Sequence, residues 1–165
     1  YERNGEEISF VLSVMSGEQD RIDIAQAAAQ QLQEIGINCT VDIPAQIDWG
    51  GQMAYLIGWG SPFDADDHTY KVFGTDKGAN YSSYSNALVD QYLIEARESA
   101  DPAVRAEAYD KFQEELAKDP AFTFICYIDA NYVANSSIQG ISADTVMGHH
   151  GVGIFWNVAD WTIGN

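Results

Sequence analysis

The sequence predicts a single α/β domain, residues 1–165, in which about four strands form a mixed, mostly parallel sheet flanked by helices. Two observations support this prediction. Short apolar runs, rich in β-branched and aromatic residues, alternate along the chain with longer segments whose apolar residues recur at helical spacing. The hydrophobic fraction of 46% in 165 residues is also sufficient for one core. Alternating strands and helices are typical of a sheet with parallel neighbours.

The first elements predict a strand–helix–strand unit. Residues 8–15 are apolar on both faces, as in a strand covered on both sides. Apolar residues at helical spacing follow over residues 22–35, and Gly36 marks the end of that helix. Residues 37–43 predict a second strand, which Pro44 ends. Because the joints are short, we expect the two strands to be parallel.

The middle of the chain predicts a third strand, over residues 53–60, and then three helices. The helices are expected over residues 68–73, 88–98 and 103–118. A long polar loop, residues 74–86, separates the first two, and Asp101 and Pro102 provide an N-cap and a first helical residue for the third. The expected core residues of the last two helices are Leu88, Tyr92, Ala96, Val104, Ala108, Phe112 and Leu116.

The last part of the chain predicts a fourth strand, Phe122–Ile128, which residues 131–134 could continue. The tail, residues 140–165, is rich in Gly and Trp and has no clear periodicity, so we expect irregular structure that needs a partner surface. The two cysteines, Cys39 and Cys126, lie in strand-like segments and are expected to be small buried hydrophobes. A single disulfide is the alternative if their strands are neighbours.

Charge excludes several classes of partner. Twenty-five acidic side chains and eight basic ones give a formal net charge of −17. Such a surface repels phosphate backbones and anionic lipid headgroups, so we expect no nucleic-acid binding and no membrane binding through a basic patch. The negative charge also favours attraction of cationic ligands, although solubility is its simpler explanation. No apolar run reaches the roughly 20 residues that span a bilayer.

Motifs for catalysis are missing from the sequence, which has no Gly-x-Ser-x-Gly, no phosphate-binding glycine loop and no His-Glu-x-x-His. His149 and His150 stand between two glycines and are expected to face solvent in a turn. Residues 64–67 are acidic but lack the Gly and distant Glu of a calcium loop, so we expect them to cap the helix that contains His68. We therefore predict no catalytic residue, no metal site, no cofactor and no enzymatic activity.

Large aromatic residues in polar, glycine-rich loops are the most informative feature: Trp49, Trp59, Tyr81, Tyr84, Trp156 and Trp161. Such residues often line ligand sites, because they combine apolar area with a polar tip. We expect Trp49 and Trp161 to pack at the rim of the core instead. Trp59 follows the third predicted strand, and open α/β sheets bind ligands at the carboxyl ends of their strands.

Several phrases, in this order, resemble one known family. The most specific are Gly58-Trp59 and the stretch 80–86 followed by Asp90, and the matching phrases run from about Ile8 to Gly140. The chain resembles the C-terminal lobe of family 5 extracellular solute-binding proteins, which are the oligopeptide-, dipeptide- and nickel-binding proteins of ABC importers. The resemblance implies a lobe of the type II periplasmic-binding-protein fold.

By this resemblance the whole protein has two lobes joined by a hinge and captures a peptide or other small polar solute by closing around it. The implied partners are the N-terminal lobe, which this chain lacks, and ABC permease subunits. The implied location is outside the cytoplasmic membrane, in the periplasm or on the cell surface as a lipid-anchored protein. The expected ligand-binding residues are Trp59, Ser61, Asp64, Tyr81 and Tyr84.

One departure from the family keeps a second interpretation open. In peptide-binding members an Asp three residues after the Trp pairs with the peptide ammonium, whereas here that position is Pro62 and the first carboxylate is Asp64. The Trp-Gly-x-Pro-aromatic-Asp pattern looks like the nickel-binding branch, so the alternative function is binding of a nickel complex or metallophore. In that branch a His after this segment can ligate the metal, but His68 is nearer to Trp59 than the branch implies, and we do not assign it that role. A hydrolase domain is the third alternative.

Overall fold

The computed structural model describes residues 2–3, 5–60, 64–128, 131–142 and 154–164. Contacts within it group into two compact units, Tyr1–Gly58 and Trp59–Asn165. Each unit is built around its own cluster of buried side chains and is described separately below.

The first unit contains a three-stranded parallel sheet. Its elements, in chain order, are β1 (Glu2–Arg3), β2 (Glu6–Glu7), β3 (Ser9–Val14), α1 (Gln19–Glu34), β4 (Asn38–Asp42) and β5 (Ala54–Leu56). β1 and β2 pair as a short antiparallel hairpin. β3 lies in the centre of the sheet and pairs in parallel with β4 on one side and with β5 on the other. The predicted strand–helix–strand unit and the predicted fold class are confirmed.

Helix α1 covers one face of this sheet. Val14 of β3 and Ile22 and Ala25 of α1 are buried against each other. Leu12, Val41 and Leu56, one from each strand, pack around them. Complete burial of an aliphatic side chain of this size stabilises a fold by about 1.5–3 kcal/mol, so this cluster fixes the helix on the sheet.

Gly36 ends α1 as the sequence predicts. Its φ of +77° is in the left-handed region that favours glycine. The N–H of Ile37 donates to the carbonyl of Leu32 at 2.9 Å, and the N–H of Gly36 donates to the carbonyl of Gln33 at 3.0 Å. These two bonds form a Schellman motif, which satisfies carbonyls that the helix end would leave unpaired.

The second unit is mainly helical. It contains α2 (Ala65–Phe73), α3 (Ala87–Glu98), α4 (Pro102–Lys118), β6 (Ile138–Gln139) and β7 (Thr162–Ile163). Each helix begins at a side chain that accepts backbone N–H groups of the first turn: Asp64 for α2, Asn86 for α3 and Asp101 for α4. The predicted Asp101-Pro102 start is confirmed, and α2 begins three residues before the predicted helix.

The core of the second unit lies between α3 and α4. Its buried members are Tyr84, Val89, Leu93, Phe112 and Leu116, and Ala96 and Ala108 are buried with them. Ala96, Ala108, Phe112 and Leu116 confirm the predicted core residues, and Tyr92 is half-buried.

Two of the predicted core residues are exposed. Leu88 is 44% exposed because the inward stripe of α3 runs through Val89, Leu93 and Ala96. Val104 is 42% exposed because a row of residues four apart rotates by about 40° at each step around an α-helix. The row that faces inward at Phe112 has therefore turned toward solvent at Val104.

The predicted fourth strand is wrong for the described part of the chain. Residues 123–128 have no strand pairing, and their apolar side chains are exposed. The physical reason is that a strand requires a neighbouring edge, and no described segment supplies one. Cys126 is consequently exposed rather than buried, and both cysteines are free. Cys39 is half-buried in β4, and burial raises the pKa of its thiol.

The described part of the tail has some regular structure. β7 pairs antiparallel with β6, with Ile138 opposite Ile163, and a 3₁₀ turn, Val158–Asp160, precedes β7. The expectation of irregular structure is therefore wrong for residues 162–163, while residues 143–153 lie outside the described ranges. Among the helices that the structure describes, none is long and apolar enough to cross a membrane.

Candidate functional site

Trp59 lies three residues after the end of β5 and contacts two other rings. Its indole stacks on the phenol of Tyr81, with ring centroids 6.2 Å apart and an interplanar angle of 16°. The imidazole of His68 lies at 5.6 Å on a tilted plane. These three residues are called the aromatic cluster below. Trp59 keeps 37% of its surface exposed, so the cluster offers an open ring to a solute.

His68 is positioned by the start of α2. The Asp64 carboxylate accepts the N–H of Asp66 at 2.8 Å, which begins the helix and places His68 in its first turn. Thr69 donates its hydroxyl back to the carbonyl of Ala65 at 2.7 Å. The predicted capping role of this acidic stretch is confirmed.

Tyr81 is positioned by a loop that Asn80 organises from within. The Asn80 amide donates to the carbonyls of Gly74, at 2.9 Å, and Tyr84, at 2.7 Å. Its side-chain oxygen accepts the N–H of Tyr84 at 3.0 Å and the hydroxyl of Ser82 at 3.2 Å. Four hydrogen bonds from one half-buried side chain hold a segment that has no regular secondary structure.

The same loop is tied to α3. The Asp90 carboxylate accepts the N–H of Thr75 at 2.8 Å, and the hydroxyls of Thr75 and Ser85 are 3.2 Å apart. The loop forms one side of a solvent-open polar cavity of about 370 Å³. The cavity is lined by Thr75, Asp76, Asn80, Ser83, Tyr84 and Ser85. The backbone that carries Tyr81 is therefore anchored at both ends.

Asp64 is paired with Arg105 of α4. Arg105 Nη2 lies 2.7 Å from one carboxylate oxygen and 2.8 Å from the other. The backbone N–H of Asp66 and the guanidinium of Arg105 hold the pKa of the Asp64 carboxyl below its ordinary value. Asp64 is thus ionised at neutral pH, and its charge is already compensated.

A second ion pair ties α2 to α3. Arg97 Nη2 lies 3.1 Å from Asp66 Oδ2, and the Arg97 guanidinium lies over the ring of Tyr70 at 3.8 Å. Among the described residues, four further ion pairs join side chains three or four apart in sequence, at Arg21, Lys71, Lys111 and Lys118. Such exposed local pairs contribute little to stability, but the two long-range pairs orient α2 and with it His68.

The structure brings some of the predicted site residues together and separates others. Trp59 and Tyr81 are in contact, whereas Asp64 faces Arg105. Tyr84 is 9% exposed in the α3–α4 core, where burial raises the pKa of its phenol. Ser61 lies outside the described residues.

Sequence reasoning weighed His68 without giving it a ligand role, and the structure places its imidazole beside Trp59. The predicted turn at His149 and His150 falls outside the described residues. Within the ranges that are described, no three His, Cys, Asp or Glu side chains are grouped so that they could hold a metal ion.

Two other tryptophans, Trp49 and Trp161, each pack against a ring close to them in the sequence. Trp49 packs edge-on against Tyr55 at 5.4 Å. Trp161 packs against Phe155 at 5.7 Å and donates its Nε1–H to Asn157 Oδ1 at 3.0 Å. Both are half-buried, whereas Trp156 is 64% exposed. Trp156 therefore offers a matched control for substitutions at Trp59.

Comparison with known proteins gives a consistent set of relatives. The chain is similar to NikZ from Campylobacter jejuni, whose crystal structure is in complex with Ni(L-His), with a TM-score of 0.84 and 34% identity over 98% of this chain. It is similar in fold to the oligopeptide-binding protein AppA from Bacillus subtilis in complex with a nonapeptide, with a TM-score of 0.72 and 24% identity over 99% of this chain. Protein XP55 from Streptomyces lividans is 33% identical over 85% of this chain. No family model matches the chain.

These relatives are all much longer. The chain spans 34% of the NikZ structure, 33% of the AppA structure and 27% of Protein XP55. Its aligned region nevertheless covers both compact units described above, because the match to NikZ includes 98% of the chain.

Proposed function

We propose that this chain carries part of the ligand site of the binding protein of an ABC importer. The chain is a member of the family 5 solute-binding proteins and corresponds to about a third of one. In this proposal it is the C-terminal lobe, and it closes on the N-terminal lobe around a small solute outside the cytoplasmic membrane. The whole protein is a binding component and not an enzyme. The observation that carries the proposal is the half-open stack of Trp59 on Tyr81 beside His68.

The aromatic cluster is suited to holding a compact solute. An indole face supplies apolar area, and it attracts a cation by about 0.5–2 kcal/mol. Tyr81 stiffens the indole from one side, so less freedom is lost when a solute binds. Closure of a second lobe would remove water from the exposed part of Trp59, in a hinge motion that the bound solute favours.

A nickel–amino acid complex is the solute that we favour over a peptide. The Asp64 carboxylate is already paired with Arg105, so a peptide ammonium would have to compete for it. Imidazole is a good ligand for nickel, and His68 lies beside Trp59. The relative with the TM-score of 0.84 was crystallised with Ni(L-His).

A peptide remains the second candidate. AppA is 25% identical over 97% of this chain and is named an oligopeptide-binding protein. The polar cavity next to Tyr81 is lined in part by the hydroxyls of Thr75, Ser83 and Ser85, which can form hydrogen bonds with a peptide backbone.

Calorimetry on the full-length binding protein tests both candidates. Four probes are titrated separately: Ni(II) with L-histidine, Ni(II) alone, L-histidine alone and a mixed nonapeptide library. We expect binding of Ni(II) with L-histidine, and we expect Trp59→Ala to weaken it by about 10-fold, since an indole face attracts a cation by about 0.5–2 kcal/mol. Trp156→Ala is the control and should bind as the parent does.

Two outcomes contradict the proposal in different ways. Binding of nonapeptides without nickel–histidine binding would replace the favoured solute with a peptide. If Trp59→Ala and Trp156→Ala weaken binding equally, the aromatic cluster is not the site. Single substitutions of His68, His149 and His150 by Ala each remove one imidazole. They would therefore show which of the three, if any, contributes to nickel binding.

A further inference from the structure

Tyr70 of α2 has two cationic side chains close to its ring. The guanidinium carbon of Arg97, on α3, lies 3.8 Å from the ring centroid, and Lys77 Nζ, from the loop after α2, lies 4.9 Å from it. The whole chain has only eight lysines and arginines against 25 acidic side chains. Two of the eight therefore form a local positive site around one phenol on a strongly negative surface.

Both cations are held in place by further contacts. Arg97 Nη2 lies 3.1 Å from Asp66 Oδ2, and Asp66 and Tyr70 are four residues apart on the same face of α2. The backbone N–H of Lys77 donates to the carbonyl of Gly74 at 3.3 Å. A Cβ at Gly74 would be 2.8 Å from Lys77 Cγ, so the glycine leaves room for the lysine stem. The position of the two charges is thus a property of the fold.

The charges favour the ionised form of the phenol. The Lys77 ammonium, and after it the Arg97 guanidinium, lower the pKa of Tyr70, against an opposite effect of burial. Tyr109 is a useful contrast, because it has one guanidinium at 5.7 Å but a buried hydroxyl, and burial raises its pKa. Burial likewise raises the pKa of Tyr84. A cation next to a nucleophile is one of the ways in which proteins activate it.

We infer that Tyr70 is a modification site, at which the phenol oxygen takes a sulfonyl or acyl group from an activated donor. With an arylsulfonyl fluoride, the phenolate oxygen attacks the sulfur, an S–O bond forms, the S–F bond breaks and fluoride leaves. The phenol proton passes to the buffer. Lys77 and Arg97 remain charged throughout and increase the fraction of Tyr70 that is ionised. The reaction involves neither the aromatic cluster nor the bound solute.

The first test is labelling of the full-length protein with a limiting amount of phenylsulfonyl fluoride, followed by peptide mass spectrometry. Tyr92 of α3 is half-buried, as Tyr70 is, and serves as the internal comparison. We expect Tyr70 to react ~3-fold faster or more, since a unit charge within about 5 Å attracts an anion by that factor even in water. Tyr70→Phe should remove the fastest-reacting site. Equal labelling of Tyr70 and Tyr92 would overturn the inference.

Two lysine substitutions separate the local charge from the net charge. Lys77→Gln and Lys71→Gln change the net charge equally, but Lys71 pairs with Asp67 at 3.0 Å on α2. We expect Lys77→Gln to slow labelling of Tyr70 by ~3-fold or more and Lys71→Gln to slow it by less than ~1.5-fold. Equal losses in the two variants would contradict a local role of Lys77.

The pH profile separates activation from access. The labelling rate of Tyr70 rises with pH as its phenol ionises, and loss of Lys77 should move that rise to higher pH, because Lys77 lowers the pKa. The two curves should converge once the phenol is fully ionised. A rate reduced by the same factor at every pH would mean that Lys77 affects only access to Tyr70, and the inference would fail. All rates are measured without solute, so such a failure leaves the proposed function intact.

Discussion

Arg105 Nη2 lies 2.7 and 2.8 Å from the two carboxylate oxygens of Asp64, which is 41 positions earlier in the chain. The same carboxylate caps α2. One acidic side chain therefore both starts the helix that carries His68 and links that helix to α4. The pair is partly exposed, so its value lies in orienting α2 rather than in a large gain of stability.

The Asp64–Arg105 pair predicts a pH dependence of stability. The pKa of Asp64 is lower in the folded protein than its ordinary value of 3.8, first because of the Asp66 N–H and then because of Arg105. Its contribution is thus complete above about pH 4 and is lost as the pH falls through the lower, folded pKa. Urea midpoints measured from pH 6 to pH 2 should fall less steeply for Asp64→Asn than for the parent.

Arg105→Gln refines this test. It removes one cause of the lowered Asp64 pKa and keeps the backbone hydrogen bond, so its curve should lie between those of the parent and Asp64→Asn. Parallel curves for all three proteins would show that Asp64 does not link folding to pH.

Removal of the Asn80 side chain should loosen the loop that carries Tyr81. Asn80→Ala leaves two carbonyls and the Tyr84 N–H without their partner, and unpaired buried groups cost about 1–3 kcal/mol. We expect a loss of about 2 kcal/mol in urea denaturation. Gln91→Ala on the exposed face of α3 is the control. A loss below 0.5 kcal/mol for Asn80→Ala, at roughly the level of an ordinary surface change, would contradict this role.

Adjacent residues of α3 give a direct test of the α3–α4 core. Leu93 is 1% exposed and Ile94 is 43% exposed. Leu93→Ala should lower the free energy of unfolding by about 2–5 kcal/mol, because it removes buried methyl groups and leaves a cavity. Ile94→Ala should cost less than about 1 kcal/mol. Similar losses for both variants would mean that the inward stripe of α3 differs from the one described.

Gly58 lies close to the guanidinium of Arg21. A Cβ at this position would be 2.6 Å from Arg21 Nη2, so Gly58→Ala requires the arginine side chain to move. Because the guanidinium is the mobile end of a long side chain, we expect a loss of only about 1 kcal/mol. The loss should vanish when Gly58→Ala is made in an Arg21→Ala background. If Gly58→Ala costs the same stability in the Arg21→Ala background, the loss arises from the backbone at residue 58 and not from contact with Arg21.

Much of the fold could be predicted because its signals are local. The βαβ unit follows from two short apolar runs around a helical one, and Gly36 and Asp101 act on backbone groups within a few residues. The failed strand over Phe122–Ile128 has the right composition, but strand formation depends on a neighbour that no local pattern specifies. The shift of one residue in the α3 stripe likewise depends on where Asn86 starts the helix.

The candidate site was less predictable, because its members come from segments without periodicity. Tyr81 and Tyr84 stand three residues apart in one loop and were expected to act alike. The chain adopts a φ of +55° at Ser83 between them, and Tyr84 enters the core while Tyr81 meets Trp59. The contact between Trp59 and His68 depends on Asp64 capping α2, which fixes where that helix begins. The sequence indicates the cap but not which rings it brings together.

The ion pairs described above have a consequence for behaviour in salt. Six of the eight lysines and arginines already have carboxylate partners, and Lys77 lies over the ring of Tyr70. Because 25 acidic side chains outnumber eight basic ones, the net repulsion among them opposes the compact state. Counter-ions shorten its range to about 8 Å at 0.15 M ionic strength. Moderate salt should therefore raise the melting temperature of this protein.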